Sequence, residues 1–265
     1  MKCKICQHET SAIFNAVVLY KYDVAYYQCK NCGFGQTEQP YWLEEAYISP
    51  MNLSDTGVMF RSERMSKITT ALLFFFFNKK GTFLDYAGGL GVFTRQMRDI
   101  GFDFLWNDPY TKNELARGFE GDLNRKYDAV TTFESFEHFE NPYQEIEKIL
   151  QITDTVILST DLIDFPAPAH KDWWYYASEH GQHVAFYSQK AFQEIAKKYG
   201  MHYHNAMNVH VLTKKKIGLF GTAFLKFKYA KHLLYLSFFF INPFIKSKSF
   251  DDMNSFYVKS VATTH

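Results

Sequence analysis

Hydrophobic positions along the chain change period several times, and each change marks an element. In AIFNAVVLYKYDVAYYQC, ending at Cys29, apolar and polar residues alternate, which predicts two short strands. The stretch 41–80 predicts helical segments, the later one running from about Arg61 to Phe77 and stopped before Gly81. From Thr82 to Leu158, buried strands and amphipathic helices take turns. TFLDY reads as a strand, VFTRQMRDI as a helix closed by Gly101 and FDFLWND as a second strand. YDAVTTFE and TVILST follow as two more strands, separated by a helix in NPYQEIEKILQI. This alternation predicts an α/β fold: a parallel sheet with helices on both faces and ligands at the carboxyl ends of the strands. Ser188 is expected to cap the helix QKAFQEIAKKYG, and MHYHNAMNVHVLTKKK reads as a closing pair of strands.

The most apolar stretch is IGLFGTAFLKFKYAKHLLYLSFFFINPF. Lys226, Lys228 and Lys231 interrupt it, whereas a spanning helix needs about 20 apolar residues, so it is not expected to cross a membrane. It is expected to form a helical flap over the main domain; an interfacial helix resting on a membrane is the other reading. The expected organisation is a cysteine module over 1–40, a helical lead-in over 41–80, the main domain over 81–216 and an aromatic-rich helical extension over 217–265.

Composition narrows the function classes. With 29 basic and 28 acidic residues the net charge is +1, so no global field gathers nucleic acid, and a nucleic-acid partner is not favoured. The start MKCKICQHET lacks the apolar run of a secretory signal, and the expected location is the cytoplasm. Aromatic residues make up 18% of the chain, more than a core normally demands, which points to a lined cleft or a contact surface.

All four cysteines fall in two Cys-x-x-Cys pairs, Cys3 with Cys6 and Cys29 with Cys32. Each pair can wrap a knuckle around one tetrahedral zinc ion, and four thiolates leave no open position for substrate, so the zinc is read as structural. No cysteine is left for nucleophilic catalysis.

Between the first main strand and its helix stands Asp85-x-Ala87-x-Gly89-x-Gly91. Small residues there let backbone approach a ligand, and the helix amino terminus offers free N–H groups. Asp108 ends the next strand, where a carboxylate can accept both hydrogen bonds of a ribose diol. GGLGVF has no third glycine in register for a pyrophosphate, so NAD is disfavoured.

This pattern, with KYDAVTTFESFEHFENP further on, resembles the class I S-adenosylmethionine (SAM)-dependent methyltransferases, over about residues 80–160. The resemblance implies a Rossmann-like sheet with SAM as co-substrate. It also implies Asp85 and Gly89 near the cofactor's amino-acid end, Asp108 on the ribose, Asp122 near the adenine and Glu134 beside the methionine moiety. Asp122 reads equally well as part of a solvated loop. Ala87 stands where the family usually has its first glycine, and its methyl group is expected to crowd the turn only slightly.

A four-cysteine module before such a core is similar to the sugar methyltransferases of deoxysugar and surface-polysaccharide pathways. Where those have Tyr-x-Glu-His-x-x-Tyr-Phe-Ser, this chain has HGQHVAFYS, so His183 takes the family's histidine, Gln182 replaces its glutamate and His180 its tyrosine. The family's large carboxyl-terminal extension is not expected in this chain, so the family's substrate is not carried over.

The loop carrying Trp173, Trp174, Tyr175 and Tyr176 either faces a sugar or packs the fold's edge. His170, His180 and His183 match no compact zinc spacing. Methyl transfer from a sulfonium needs alignment of acceptor, methyl and sulfur, plus removal of one proton. His183 is the candidate base, with His180 as alternate. The expected function is methylation of a saccharide or nucleotide-sugar. An RNA methyltransferase, or a catalytically silent protein recruiting a partner through its zinc module, are the alternatives.

Overall fold

The computed structural model describes residues 1–48 and 55–262, with side chains described through 257; the lead-in positions 49–54 lie outside the described residues. Two strands, β1 (Thr10–Val18) and β2 (Tyr22–Cys29), pair antiparallel from Val18↔Tyr22 back to Thr10↔Cys29, with a one-residue register shift between Ala12 and Phe14. The hairpin brings Cys29 and Cys32 beside Cys3 and Cys6. The short β3 (Gly35–Thr37) follows, then a single turn α1 (Leu43–Ala46). The long α2 (Val58–Phe76) starts three residues before the expected Arg61, because Gly57 ends the preceding turn.

The main sheet is built from β4 (Thr82–Tyr86), α3 (Val92–Ile100), β5 (Asp103–Asn107), β6 (Ala129–Phe133), α4 (Pro142–Ile152) and β7 (Thr155–Ser159). After a long loop come β8 (Ala185–Phe186), α5 (Gln189–Lys198), β9 (His202–Ala206) and β10 (Val209–Thr213). Three helices close the chain: α6 (Leu219–Leu225), α7 (Ala230–Ile241) and α8 (Ser249–Ala262). Ser188 caps α5 as expected, its hydroxyl accepting from the Ala191 N–H at 3.0 Å.

The six-stranded sheet has the order β5-β4-β6-β7-β10-β9, parallel up to β7 and antiparallel beyond. Strand side chains alternate faces, and so do the cores they serve. Phe83, Phe104, Ala129 and Ile157 pack under α2, α3 and α7, whereas Leu84, Val130, Val156 and Leu158 pack under α4 and α5. Both faces are therefore covered, as a parallel sheet requires.

The second sheet, β1-β2-β3-β8, joins the cysteine region to the loop after β7. Gly35 pairs with Phe186 and Gln36 with Ala185, so the strand beside the cysteines is hydrogen-bonded to the strand that begins two residues after His183. Helix α7 covers α2 with Leu234, Phe238 and Ile241, while Leu236, Phe239 and Phe240 on its other side are exposed. Among the described residues no helix is long and apolar enough to cross a membrane.

Candidate active site

Four strands of the parallel part end on one side of the sheet, and β4 ends there first. Asp85, near the end of β4, is buried and accepts hydroxyl hydrogen bonds from Thr94 of α3 at 3.0 Å and Thr131 of β6 at 3.1 Å. Burial pushes its carboxyl up to about 7, although those hydroxyls work in the opposite direction.

The turn that follows is left-handed at every second residue, with φ of 58° at Ala87, 52° at Gly89 and 85° at Gly91. The family's preference for glycine at position 87 thus has a conformational cause. The alanine costs backbone strain, of the order of 1 kcal/mol, rather than crowding.

Gly89 faces open space where a Cβ would meet nothing, which is the face a ligand can approach. Its N–H donates to the Asp108 carboxylate at 2.9 Å, and its carbonyl accepts from the Trp106 indole at 2.9 Å. The other oxygen of Asp108 accepts from the Tyr110 and Thr111 N–H groups at 2.8 and 2.9 Å. Asp108 thereby locks the end of β5 to the glycine turn. Gly91 plays a different part: it caps α3, and a Cβ there would stand 2.7 Å from the Asn113 side-chain oxygen. It shapes the turn and does not line the cavity.

The cavity over this turn has a volume of about 920 Å³ and is lined by Asp85, Ala87, Gly88, Gly89 and Asp108 on one wall. Across it stand Glu134 and Ser159 at the ends of β6 and β7, with Tyr47, His138, Trp174 and Tyr175. Arg61, Arg64, Asp161 and Lys231 supply charge. Glu134 has φ of 49° and accepts from the Ser159 hydroxyl; burial raises its carboxyl above the usual range. Lys231, from α7, donates to the Asn208 side-chain oxygen. Burial, assisted by nearby Arg64, lowers its ammonium to about 8.

Asp122 is not brought to this cavity. It is exposed, and its carboxylate accepts from the N–H and side-chain amide of Asn124, as the solvated-loop reading has it. His180 and His183 do not line the cavity either. His183 is only 9% exposed and donates Nδ1–H to the Tyr175 carbonyl at 2.7 Å. Its ring packs edge-on to His138, with centroids 5.1 Å apart, and it is His138 that reaches the cavity wall. His138 lies within KYDAVTTFESFEHFENP, but nothing in that stretch shows that its histidine would stand in front of the one after β7.

The aromatic quartet divides. Trp174 and Tyr175 line the cavity, whereas Trp173 and Tyr176 pack with Tyr26 and Phe186 over the smaller sheet. Gln182 donates its side-chain amide to the Ala46 carbonyl at 2.8 Å and does not line the cavity. Lys231 escaped the sequence reading because it stood among apolar residues as an interruption; a lone lysine on an otherwise apolar helix was the available signal.

The four cysteines converge elsewhere. Cys3 and Cys32 sulfurs lie 3.5 Å apart, Cys6 and Cys29 sulfurs 3.4 Å apart, and no disulfide joins them. All four sulfurs stand within 4.8 Å of one another. A zinc ion with bonds of about 2.3 Å holds thiolates at about 3.8 Å, so the donor set fits tetrahedral zinc.

A methyltransferase-domain family profile matches residues 59–205. The chain belongs to that family. It is a SAM-dependent methyltransferase with a mixed α/β sheet flanked by helices. No curated protein matches it significantly.

Among solved structures, the methyltransferase is similar to magnesium protoporphyrin IX methyltransferase from Synechocystis PCC 6803 with bound SAH. That likeness has 16% identity over 64% of this chain and 90% of that one, with a TM-score of 0.44. An O-methyltransferase family protein from Burkholderia thailandensis shares 14% identity over 64% of this chain and 66% of its own, with a TM-score of 0.44. The plantazolicin methyltransferase BpumL in complex with SAH shares 14% over 55% and 68%, with a TM-score of 0.41.

Proposed function

We propose that this methyltransferase methylates a saccharide or nucleotide-sugar in the cytoplasm, with a structural zinc ion on Cys3, Cys6, Cys29 and Cys32. One observation carries the reading. The cavity that begins at the glycine turn continues without a break to a wall of aromatic rings and ionised groups: Tyr47, Trp174, Tyr175, Arg64, Asp161 and Lys231. Aromatic faces suit the apolar faces of a sugar ring, carboxylates accept from its hydroxyls, and cationic side chains suit a diphosphate. SAM takes the turn, with Asp85 and Gly89 at its amino-acid end, Asp108 at the ribose and Glu134 near the methionine moiety.

In the reaction, the acceptor oxygen or carbon attacks the methyl carbon in line, the carbon–sulfur bond breaks and its electrons return to sulfur. One acceptor proton leaves. We assign its removal to His138 at the cavity wall, with His183 packed edge-on behind it and not in contact with the acceptor. Burial holds both imidazoles neutral at pH 7, His138 down to about 4, so each keeps a free electron pair. His180 remains the more exposed alternate.

The test is to offer methyl-labelled SAM with a panel of nucleotide-sugars and with RNA, and to locate the label by mass spectrometry. Label on a sugar supports the reading. Label on RNA alone would replace it.

A further inference from the structure

Among the described residues, two groups of potential metal ligands converge, and only one of them is the cysteine set. The other is Glu137, His138 and His183, whose ligand atoms all lie within 4.8 Å of one another. We propose that these three side chains hold a divalent first-row transition cation at the acceptor wall of the cavity, distinct from the zinc on the cysteines. The inference deepens the methyl-transfer reading and rests on it.

Three observations carry it. Glu137 is 0% exposed, and neither of its carboxylate oxygens has a hydrogen-bond partner. A buried carboxylate left without partners costs several kcal/mol or so, and a cation is one of the few groups that can repay two bare oxygens. The hydroxyls of Tyr175 and Thr160 stand beside the carboxylate, and their own hydrogen bond, at 3.1 Å, is to each other.

The imidazoles are oriented in the manner of ligands. His183 donates Nδ1–H to the Tyr175 carbonyl at 2.7 Å, which leaves Nε2 with its electron pair free. His138 Nδ1 lies 2.8 Å from the Tyr47 hydroxyl, and in the tautomer whose Nδ1–H donates to that oxygen, the one ligation selects, Nε2 keeps its electron pair as well. Metal-ligating histidines are usually fixed by such a bond on the far ring nitrogen.

The group also has an entrance, because His138 and Tyr47 line the cavity while Glu137 and His183 stand behind. Two imidazoles and one carboxylate form a donor set suited to zinc, cobalt, manganese or iron, with positions left for an incoming oxygen. Polarised by such a cation, an acceptor hydroxyl gives its proton to water. Its oxygen then bonds to the methyl carbon as the carbon–sulfur electrons return to sulfur. The imidazoles act in this case as ligands and not as bases.

The experiment uses the full chain with its cysteine-bound zinc in place. Mn(II), which competes poorly for thiolates, is titrated and followed by loss of the free-ion electron paramagnetic resonance signal. Co(II) serves as a second probe, since nitrogen and oxygen ligation lacks the strong thiolate charge-transfer band. SAM affinity is measured on the same samples by calorimetry. One Mn(II) or Co(II) per chain beyond the zinc is expected. It should be lost in Glu137→Gln and weakened by roughly tenfold in Tyr47→Phe, which removes only the bond to His138 Nδ1. SAM affinity in Tyr47→Phe should stay at the parental value, and methylation should rise with the added ion.

No bound ion beyond the zinc, or equal binding in parent and Glu137→Gln, overturns the proposal and leaves His138 as the base. Absence of SAM binding in the parent would instead overturn the methyl-transfer reading, whatever the metal result.

Discussion

Asp108 shows how one side chain can be committed twice. Its carboxylate already accepts three backbone N–H groups, one of them from Gly89, so it preorganises the glycine turn before any ribose reaches it. Asp108→Ala should therefore weaken SAM binding by about 2–3 kcal/mol, more than the ribose contact alone implies, as calorimetry would read. Gly89→Val should be at least as damaging. A branched residue at φ of 52° costs roughly 1–3 kcal/mol of backbone strain, and its side chain would enter the open face. Equal affinity in both variants and the parent would remove SAM from this turn.

Asp85 gives a pH signature. Its folded value near 7 lies above the unfolded carboxylate value, so between about pH 4 and 7 the folded state holds a proton that the unfolded state has released. Stability from this group is full below pH 4 and is lost as pH rises toward 7. Asp85→Asn should flatten that slope in cofactor-free melting curves, and an unchanged slope would contradict the burial argument. Asp85, Gly89 and Asp108 were legible because turn chemistry and strand ends are local in sequence. The front position of His138 was not, because only the fold decides which of two distant histidines stands before the other.

At the scale of elements, α7 has a covered side and an open side, and the two alternative readings of the carboxyl-terminal segment each bear on one of them. Its inner side packs on α2 through Leu234 and Ile241, and Lys231 reaches the cavity. Its outer side remains apolar, and α6 beside it leaves Leu219 90% and Phe220 95% exposed. From 214 to 250 the chain carries eight lysines and no carboxylate, although the whole chain is balanced. Aromatic residues interleaved with lysine on a surface of this kind suit the boundary of an anionic bilayer. The expected outcome is co-sedimentation with phosphatidylglycerol vesicles, weak on phosphatidylcholine, and reduced in Phe220→Ser with Leu219→Ser. Equal pelleting on both lipids, or pelleting without vesicles, would point to self-association instead. Sequence periodicity located the helices here, but an apolar helix of this length has no stripe to say which side is covered.

The whole molecule explains why a small cysteine module precedes a methyltransferase core. Cys29 ends β2, Cys32 follows it, and β3 then pairs with β8, two residues beyond His183. Thr37 N–H donates to the Val184 carbonyl at 3.2 Å, and Val184 N–H to the Glu137 carbonyl at 2.9 Å. The Ser188 hydroxyl donates to the Cys32 carbonyl, tying the start of α5 to the same knuckle. A continuous hydrogen-bonded path thus runs from the cysteines to the backbone that carries Glu137 and His183, while the glycine turn lies on β4 and α3 and takes no part in it. That long-range pairing was invisible in the sequence, where a two-residue strand gives no periodic signal. Loss of the proposed zinc should therefore separate the two halves of the site. In Cys29→Ser, zinc per chain should fall from one toward zero and thermal stability should drop, since a structural zinc contributes folding free energy directly. SAM affinity in the fraction that remains folded should stay within a few fold of the parent, and turnover on the true acceptor should fall by something like tenfold or more as the His183 strand loosens. Parallel loss of SAM affinity and turnover would mean the module supports the whole fold without distinction; an unaltered Cys29→Ser enzyme would mean the cysteines hold nothing that the active site needs.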